Sequence, residues 1–391
     1  MSHAAVMIPG LDRVGGAEQQ AILLAKGLRR RGWRVSVVAL SGSGGDAAAE
    51  LEDAGVPFLS LQMRKGLADP RGWIRFNRWL RREQPDVLHA HLPHAAWLAR
   101  WSRLAAPVPL VVDTLHSSST GAMGRHFGYA CSLWLTDHVT AVSEATAASH
   151  LAAGMVRESE LSVVWNGIDV DRWQPDARAR CEAREELGVK DDFLWLAVGR
   201  LEAVKDYPSL LRAMTRTPER ARLLVLGTGP QEGRLAELAE WLGLKQRVRF
   251  AGFEPNVLRW MRAADGFVLS SRYEGLPMVL LEAGACVVPV VATDVPGTRE
   301  VIVDGETGWL APAGDAEELA KTMMKLMHTP PDARHAMGER ARRHVARNFS
   351  LEAALDRWER LYANLLEWKS GARHHRLPAW EILRRRSAHT A

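Results

Sequence analysis

Short runs of apolar and β-branched residues recur along the chain, and segments with helical periodicity separate them. In the first half these runs cover residues 4–8, 35–40, 87–90, 110–113, 138–141 and 161–164. In the second half they cover residues 194–198, 222–226, 248–250, 266–269 and 288–292. Predicted helices between the runs include residues 17–30, 232–242 and 279–285. Near-continuous apolar strands that alternate with helices predict parallel sheets covered on both faces, and two such series predict two Rossmann-like domains.

The length of the chain agrees with two domains. Its 391 residues exceed the roughly 100–200 residues of one typical domain. The strand and helix pattern is interrupted over residues 166–192, where an Asn-Gly pair, a Gln-Pro pair and a charge-rich stretch favour turns. We therefore place the domain boundary there. A chain of this length can bury a large core without disulfides or structural metal.

Cysteine and charge content exclude several classes of protein. Cys131, Cys181 and Cys286 lie far apart without a CxxC pair, which predicts a reducing, cytoplasmic location and neither a disulfide framework nor a zinc cluster. The net charge of +5 raises nucleic acid as a partner. However, five arginines lie within residues 371–391 against the single Glu381, so most of the excess is one basic tail. We therefore expect no nucleic-acid partner.

Membrane crossing is not predicted, whereas contact with a membrane surface stays open. The N-terminus enters a short apolar run without a basic region before it, unlike a signal peptide. Apolar runs such as residues 127–135 are far shorter than the roughly 20 residues that span a bilayer. Residues 71–83 place Trp73, Ile74 and Phe76 among five arginines, an amphipathic pattern suited to anionic lipid. A solvated helix packed on the domain explains this segment equally well.

Two glycine-rich segments follow predicted strands. Ligands of wound α/β sheets bind beyond the carboxyl ends of the strands. Gly15 and Gly16 open the first helix, where glycines let a ligand approach the backbone and helix N–H groups attract an anion. A tight β–α turn is the alternative. Gly227, Gly229 and Gly233 have a spacing too long for a dinucleotide fingerprint and indicate a packing turn.

Two cations follow the predicted strand at residues 194–198. Arg200 comes directly after Gly199, and Lys205 lies five residues further on. Together they could hold a diphosphate, with the arginine as a planar fork and the lysine as a point charge. The chain is rich in arginine and holds few lysines, so Lys205 is the stronger signal. Arg200 alone could be an ordinary surface residue.

Two glutamates flank the start of the helix predicted after residues 266–269. Pro277 suits the first turn of a helix, which places Glu274 just before the helix and Glu282 inside it. Glu282 could accept two ribose hydroxyls, Glu274 could hold a second sugar, and the helix N-terminus would face phosphate. The alternative is a glutamate that favours the helix dipole, followed by a partly buried one. An acidic residue within the apolar run 279–285 is harder to explain in that way.

Four histidines lie near the ends of predicted strands. His89 and His91 share one face of a strand and His94 lies past a proline, but no carboxylate or cysteine cluster accompanies them. A metal site is therefore not predicted. His116 lies just beyond the strand at residues 110–113, where it could contact a sugar. An ordinary loop histidine is the alternative there.

Together these segments resemble the retaining, nucleotide-sugar-dependent glycosyltransferases of family 4, which have the GT-B fold. The resemblance extends from Ala4 to about Tyr362. Each motif is weak alone, but seven occur in the order and spacing of the family. They are Gly15-Gly16-Ala17-Glu18, Asp86-Val87-Leu88-His89-Ala90-His91, Ala141-Val142-Ser143-Glu144, Asn166-Gly167-Ile168-Asp169, Val198-Gly199-Arg200-Leu201 with Lys205, Glu274-Gly275-Leu276-Pro277 through Glu282, and Asp304-Gly305-Glu306-Thr307-Gly308.

The resemblance implies two Rossmann-like domains whose parallel sheets face each other across a cleft. Residues 1–168 would form the acceptor-binding domain, and residues 169–350 the nucleotide-sugar-binding domain. Residues 351–370 would form a helix that crosses back to the first domain. Residues 371–391 would be a disordered basic tail.

The resemblance also implies roles for individual residues. Arg200 and Lys205 match the cations on the donor diphosphate, and Glu282 matches the carboxylate on the donor ribose. Glu274 and His116 match groups that contact the transferred sugar. The expected catalytic residues are therefore His116, Arg200, Lys205 and Glu274. The other implied donor contacts are made by the backbone. Phe253 would contact the base. The residues at the phosphates would be Gly15, Gly16, Gly275, Leu276, Pro277, Met278 and Val279.

Two turns depart from the commoner family sequences. Pro296-Gly297-Thr298 replaces a Pro-Gly-Gly or Gly-Gly turn, and Leu276-Pro277-Met278 replaces a Phe-Gly-Leu segment. The first departure affects a loop near the sugar. The second predicts that different N–H groups meet the phosphates.

The implied reaction transfers a hexose or N-acetylhexosamine with retained configuration, from a UDP-sugar as first choice and GDP-mannose as second. No carboxylate is obviously placed as a nucleophile, which favours front-side displacement in which the leaving diphosphate takes the acceptor proton. Protein cations neutralise the diphosphate in this scheme, so neither a metal nor another cofactor is expected. A dinucleotide-dependent oxidoreductase would need a GxGxxG segment after the first strand, which this chain does not have.

The expected acceptor is a polysaccharide, a lipid-linked sugar or another glycan. The alternative enzyme is a soluble transferase for a small sugar or sugar phosphate. The alternative from a different class is a sugar-nucleotide-binding protein without catalysis. The expected location is cytoplasmic, with peripheral contact with anionic lipid at the inner face of the plasma membrane.

Overall fold

A computed structural model describes residues 2–12, 14–64, 69–117, 131–189 and 191–371. They form two units. The first unit contains Met1–Gly167 and the residues from Leu351 onward, and the second contains Ile168–Ser350. The basic tail predicted for residues 371–391 lies, after Gly371, outside the described residues.

The first unit is built on a parallel sheet, with seven strands in the part that the structure describes. Their order is β3-β2-β1-β4-β5-β6-β7. Alternate residues of β1 enter two separate cores, with Ala4 and Val6 in one and Ala5 and Met7 in the other, so both faces of the sheet are covered. The strands are β1 (His3–Ile8), β2 (Arg34–Ala39), β3 (Phe58–Ser60), β4 (Val87–His91), β5 (Leu110–Leu115), β6 (His138–Ala141) and β7 (Leu161–Val163).

The second unit has a parallel sheet of six strands among its described residues, in the order β10-β9-β8-β11-β12-β13. Both sheets confirm the prediction of two Rossmann-like α/β domains. The strands are β8 (Phe193–Val198), β9 (Ala221–Leu226), β10 (Val248–Phe250), β11 (Gly266–Leu269), β12 (Val290–Thr293) and β13 (Gly308–Ala311).

Helices connect the strands in both units. None of those in the described ranges is both long and apolar enough to cross a membrane. A short 3₁₀ turn, Ala203–Lys205, precedes the seventh helix. The helices are α1 (Gly16–Arg30), α2 (Gly45–Asp53), α3 (Pro70–Glu83), α4 (Pro93–Ser102), α5 (Glu144–Ala152), α6 (Ala177–Leu187), α7 (Tyr207–Thr215), α8 (Glu232–Trp241), α9 (Val257–Ala263), α10 (Met278–Ala285), α11 (Pro296–Arg299), α12 (Ala316–His328), α13 (Pro331–Phe349) and α14 (Leu351–Lys369).

Three strands differ from the sequence prediction. The strands β3 and β13 were not predicted, because each is a short edge strand with partly exposed residues rather than a fully apolar run. The strand predicted at residues 288–292 starts at Val290 instead. Val287 adopts a left-handed conformation with φ +63°, and the Val288 N–H donates to the Ala283 carbonyl at 2.9 Å. Residues 287 and 288 therefore complete the end of α10.

The last helix, α14, packs on α1 within the first unit. A Cβ built on Gly27 of α1 would lie 2.5 Å from the Leu355 side chain, so only glycine allows this approach. Arg31, which follows α1, donates to Asp356 at 2.7 Å and to Glu359 at 2.6 Å. Tyr362 is fully buried in the core of the same unit. Residues 351–369 are therefore an integral layer of the first unit.

Candidate functional site

At the carboxyl edge of the second sheet, the structure separates the two expected phosphate-binding cations. The Arg200 side chain is 75% exposed, and its Nη2 lies 2.7 Å from Glu202 Oε1. The Lys205 side chain is 21% exposed, and its Nζ lies 2.6 Å from Glu274 Oε1. Each cation therefore already has a carboxylate partner. These two ion pairs were not predicted from the sequence. The structure brings Lys205 and Glu274 into direct contact and leaves Arg200 towards solvent.

The carboxylate of Glu274 is held from two sides. Its side chain is 10% exposed, and the Ser271 hydroxyl donates to the same Oε1 at 2.5 Å. An ion pair removed from water in this way is stabilised only when further hydrogen bonds satisfy its atoms. Ser271 supplies such a bond, and it was not predicted as a site residue. Its position three residues before Glu274 was the available signal.

The buried Tyr207 lies two residues after Lys205 in the chain. Its hydroxyl donates to the Gly199 carbonyl at 3.2 Å. Burial, with a smaller contribution from the charge of Glu274, raises the pKa of Tyr207 above its ordinary value. The neutral hydroxyl therefore remains a donor that holds the loop after β8.

Glu282 stands apart from the charged pair. It is the fifth residue of α10 and is partly exposed. Burial raises the pKa of Glu282 to about 7, and the charge of Arg172 opposes this rise. No hydrogen bond or ion pair to the Glu282 carboxylate is found within the described residues. The side chain is therefore available to accept ligand hydroxyls once it is ionised.

The N-terminus of α10 carries the expected phosphate contacts Gly275, Leu276, Pro277, Met278 and Val279. The helix begins at Met278, so Pro277 is its N-cap and precedes the first turn in which the sequence placed it. No side-chain cap is present at this end. A Cβ on Gly297 would lie 2.2 Å from the Gly275 carbonyl oxygen, so the Pro296-Gly297-Thr298 turn packs directly on the backbone beside Glu274. The buried Thr298 holds this turn by donating to the Thr293 carbonyl at 2.6 Å.

Phe253 extends from the loop after β10. Its side chain is 77% exposed, and the neighbouring Gly252 carbonyl accepts from the Gly227 N–H at 2.7 Å. Gly227 has φ +134°, and a Cβ there would lie 2.0 Å from the Gly199 carbonyl oxygen. The glycine-rich segment after β9 is thus a close-packed turn that joins the loops after β8 and β10.

At the carboxyl edge of the first sheet, the expected site residue His116 belongs to a histidine cluster. Its Nε2 lies 2.8 Å from Nδ1 of His91, and the rings of His91 and His89 are 4.2 Å apart. Burial lowers the pKa of His116 to about 4 and that of His89 to about 3, and it places the pKa of His91 well below its ordinary value. All three rings are therefore neutral near pH 7. Within the described ranges, no group of three or more His, Cys, Asp or Glu side chains is placed to hold a metal ion.

A directional hydrogen-bond chain ties His89 to the last helix. The Asp113 carbonyl can only accept, so Thr140 donates to it at 3.2 Å and in turn accepts from Thr114 at 2.7 Å. His89 Nε2–H then donates to Thr114 Oγ1 at 2.6 Å. His89 Nδ1 is left as the acceptor for the Tyr362 hydroxyl at 2.7 Å. Tyr362 was not predicted, because 273 residues separate it from His89.

Gly15 and Gly16 lie where the sequence placed them, at the start of α1. The Gly15 N–H donates to Glu18 Oε2 at 3.1 Å. The Glu18 carboxylate therefore already accepts the hydrogen bond from the N–H at which an anionic ligand was expected. Glu18 is the third helical residue after the N-cap, the position typical of a capping glutamate, so this contact could have been predicted.

Comparison with known proteins identifies the family. The model of glycosyltransferase family 4 matches residues 14–172, and the model of glycosyl transferases group 1 matches residues 180–344. The N-acetyl-alpha-D-glucosaminyl L-malate synthase of Bacillus anthracis is 30% identical, over 73% of this chain and 76% of its own. The chain belongs to glycosyltransferase family 4.

Further relatives of this family 4 glycosyltransferase agree in sequence and in fold. The lipopolysaccharide core biosynthesis glycosyltransferase LpsE of Rhizobium meliloti is 28% identical, over 90% of this chain and 96% of its own. The crystal structure of Anabaena Alr3699/HepE in complex with UDP and glucose covers 93% of this chain and 100% of its own, with a TM-score of 0.84 at 21% identity. This likeness shows the GT-B type of fold. The resemblance found in the sequence is therefore confirmed, and the protein is a glycosyltransferase.

Proposed function

We propose that the protein is a retaining, metal-independent transferase that moves a hexose or N-acetylhexosamine from a nucleotide-sugar to a glycan or lipid-linked acceptor. The second unit binds the donor, and the first recognises the acceptor. The observation that carries this proposal is the Lys205–Glu274 ion pair. Ser271 donates a hydrogen bond to its carboxylate, and Glu274 lies four residues before the first residue of α10. Charged side chains of both signs and a helix N-terminus without a side-chain cap suit a ligand that has both phosphates and hydroxyls.

The donor diphosphate changes the partners of the two cations. In the structure, Glu202 pairs with Arg200 and Glu274 pairs with Lys205. A diphosphate that approaches Lys205 competes with Glu274, whose carboxylate is then free to accept a hydroxyl of the transferred sugar. Glu282 accepts the ribose hydroxyls, and the exposed Phe253 loop contacts the base. UDP is our first choice of nucleotide, supported by Alr3699/HepE, whose crystal holds UDP and glucose, and GDP is the second.

The chemical step in this proposal is front-side displacement. As the bond to the anomeric carbon breaks, negative charge grows on the diphosphate, and Arg200, Lys205 and the α10 N-terminus stabilise it. The acceptor proton passes to the leaving diphosphate. His116 is neutral, so it contacts the transferred sugar as a hydrogen-bonding group rather than as a cation. These protein groups supply the neutralisation that a metal ion would otherwise provide.

The acceptors of the curated relatives differ in size. The curated relatives include a synthase of a sugar-malate conjugate and a lipopolysaccharide core glycosyltransferase, so small and large acceptors both occur among them. We favour a polysaccharide or lipid-linked acceptor, since α3 combines arginines with apolar side chains. A small sugar or sugar phosphate is the second candidate.

Contact with an anionic membrane surface is part of this proposal. The helix α3 buries Phe76 and Leu80 in the core but leaves Trp73 36% and Ile74 43% exposed, among the exposed Arg71, Arg75 and Arg78. Exposed apolar side chains beside arginines suit the boundary of anionic lipid. Flotation with phosphatidylglycerol vesicles should recover the wild type and lose the Trp73→Ser/Ile74→Ser variant. Equal recovery of both would contradict this contact.

The proposed function is tested by incubating the purified protein with UDP- and GDP-sugars and a panel of acceptors, with and without EDTA. We expect one nucleotide class to bind in calorimetry and its sugar to be transferred. The product should keep the anomeric configuration of the donor in NMR spectra, and EDTA should not lower the rate. Nucleotide binding without transfer to any acceptor would favour a non-catalytic binding protein. Loss of activity in EDTA, or an inverted product, would contradict the mechanism.

A further inference from the structure

Asp206 has an unusual backbone conformation beside the candidate catalytic Lys205. Its φ is +47° and its ψ is +43°, in the left-handed region that residues other than glycine rarely adopt. The residue joins the 3₁₀ turn Ala203–Lys205 to the helix α7, so it sets the direction in which the chain leaves Lys205. Backbone strain that persists next to reactive groups points to a function that the surrounding structure maintains.

The carboxylate of Asp206 is buried and accepts two hydrogen bonds. Its side chain is 5% exposed, and its Oδ2 accepts from Ser209 Oγ at 2.9 Å and from Arg272 Nε at 2.9 Å. Arg272 lies two residues before Glu274, on the other loop of the charged pair. Glycine would adopt the same backbone conformation more easily, but it would supply neither contact.

Two more bonds join the same segments, one at Val204 and one at Lys205 itself. The Arg272 N–H donates to the Val204 carbonyl at 2.8 Å, and the Ser270 hydroxyl donates to the Lys205 carbonyl at 2.8 Å. Residues 204–206 are thus fastened to residues 270–272 at three consecutive positions. Of these three bonds, only the one from Arg272 Nε to Asp206 joins two side chains.

We propose that Asp206 is a positioning residue, which clamps the turn that carries Lys205 onto the loop that carries Glu274. The clamp holds the ammonium and the carboxylate as one preorganised unit for the donor diphosphate and sugar. This inference rests on the proposed function, since it assumes that the pair binds a nucleotide-sugar. Arg272 is 63% exposed, so its charge stays solvated while its Nε fixes Asp206.

The test is Asp206→Gly, studied by thermal unfolding and by calorimetric titration with UDP and with GDP. Glycine suits the left-handed backbone, which offsets part of the stability lost with the two contacts, so the variant should still unfold in one cooperative transition. Affinity for the nucleotide that the wild type binds should fall about tenfold, the size of effect typical for groups in one network. Asp206→Asn tolerates the backbone and keeps the contact with Ser209, so it should lose less. The matched control is Asp192→Asn, which removes the carboxylate partner of Arg222 at the opposite edge of the sheet and should leave nucleotide affinity unchanged.

A second background separates positioning from general damage. In the Lys205→Ala protein, Asp206→Gly should cause no further loss of nucleotide affinity, because the clamp acts through Lys205. Wild-type affinity in Asp206→Gly, or an equal additional loss in both backgrounds, would overturn the inference while leaving the proposed function intact. If the wild type bound neither UDP nor GDP, the proposed function would fail, and this inference with it.

Discussion

Buried polar groups at the carboxyl edges of the two sheets are stabilised in different ways. In the second unit, Lys205 and Glu274 stay charged next to each other, with a hydroxyl on the carboxylate. In the first unit, burial keeps His89, His91 and His116 neutral. A charged pair can respond to a charged ligand by changing partners, whereas neutral rings offer fixed donors and acceptors. We therefore expect the charged pair, our proposed donor site, to reorganise when a nucleotide-sugar binds and the histidine cluster to keep its arrangement.

The largest effect should come from breaking the charged pair. Lys205→Ala removes the cation that we propose neutralises the donor diphosphate, so the transfer rate should fall by about a hundredfold or more. It also leaves the Glu274 carboxylate buried without its partner, which should lower the midpoint of thermal unfolding. The double variant Lys205→Ala/Glu274→Gln should recover the midpoint but not the rate. Near-normal turnover in Lys205→Ala would contradict the assignment of this residue.

Two buried tyrosines allow a matched comparison of the regions. Tyr362→Phe leaves His89 Nδ1 buried without a donor and should lower the free energy of unfolding by about 1–3 kcal/mol in urea titrations. Tyr207→Phe removes one bond to the Gly199 carbonyl and should cost about 0.5–1.5 kcal/mol. Tyr207→Phe should in addition weaken nucleotide binding, since it loosens the loop after β8, and Tyr362→Phe should not. If Tyr362→Phe weakened nucleotide binding and Tyr207→Phe did not, this prediction would be wrong.

The smallest effect concerns pH. With a pKa of about 7, Glu282 ionises between pH 6 and pH 8, so nucleotide affinity should rise up to about tenfold over that range if its carboxylate accepts the ribose hydroxyls. Glu282→Gln should abolish this dependence. His116, with a pKa of about 4, should contribute no pH dependence there, and His116→Gln should keep the wild-type profile. Titrations at five pH values would check both variants.

Ionisation of Glu282 should raise nucleotide affinity but lower the stability of the fold. The folded protein binds the proton of Glu282 more tightly than the unfolded chain does, since its pKa rises from 4.5 to about 7. The free energy of unfolding should therefore fall as the pH rises from about 4.5 to 7. It should fall less in Glu282→Gln. Identical pH profiles of the two proteins in urea unfolding would count against a raised pKa of Glu282.

The fold was largely predictable because the central strands of a parallel sheet are buried on both faces and read as apolar runs. The edge strands β3 and β13 escape this reasoning, since they are short and keep partly exposed residues. The limits of β12 also depend on how α10 ends at Val287, a detail of backbone conformation that side-chain periodicity does not encode.

The residue types of the candidate site were predictable, but their partners were not. Strand order places Lys205 and Glu274 at one edge, yet their direct contact joins residues 69 apart and depends on loop geometry. A pattern read along the sequence treats both as groups that face a ligand, and it cannot show that they neutralise each other. Short-range contacts are different, because the bond from Gly15 to Glu18 follows from helix capping alone.

The helix α14 has a consequence for the synthesis of this protein. Its side chains, including Leu355 and Trp358, complete the core of the first unit, although the whole second unit precedes them in the chain. On the ribosome, residues 168–350 have emerged before the first unit has its full set of core side chains. We expect the second unit to become resistant to protease earlier in translation, so the usual order in which the N-terminal domain folds first is reversed. Until α14 has emerged, the face of α1 around Gly27 lacks the Leu355 side chain that packs on it in the folded unit.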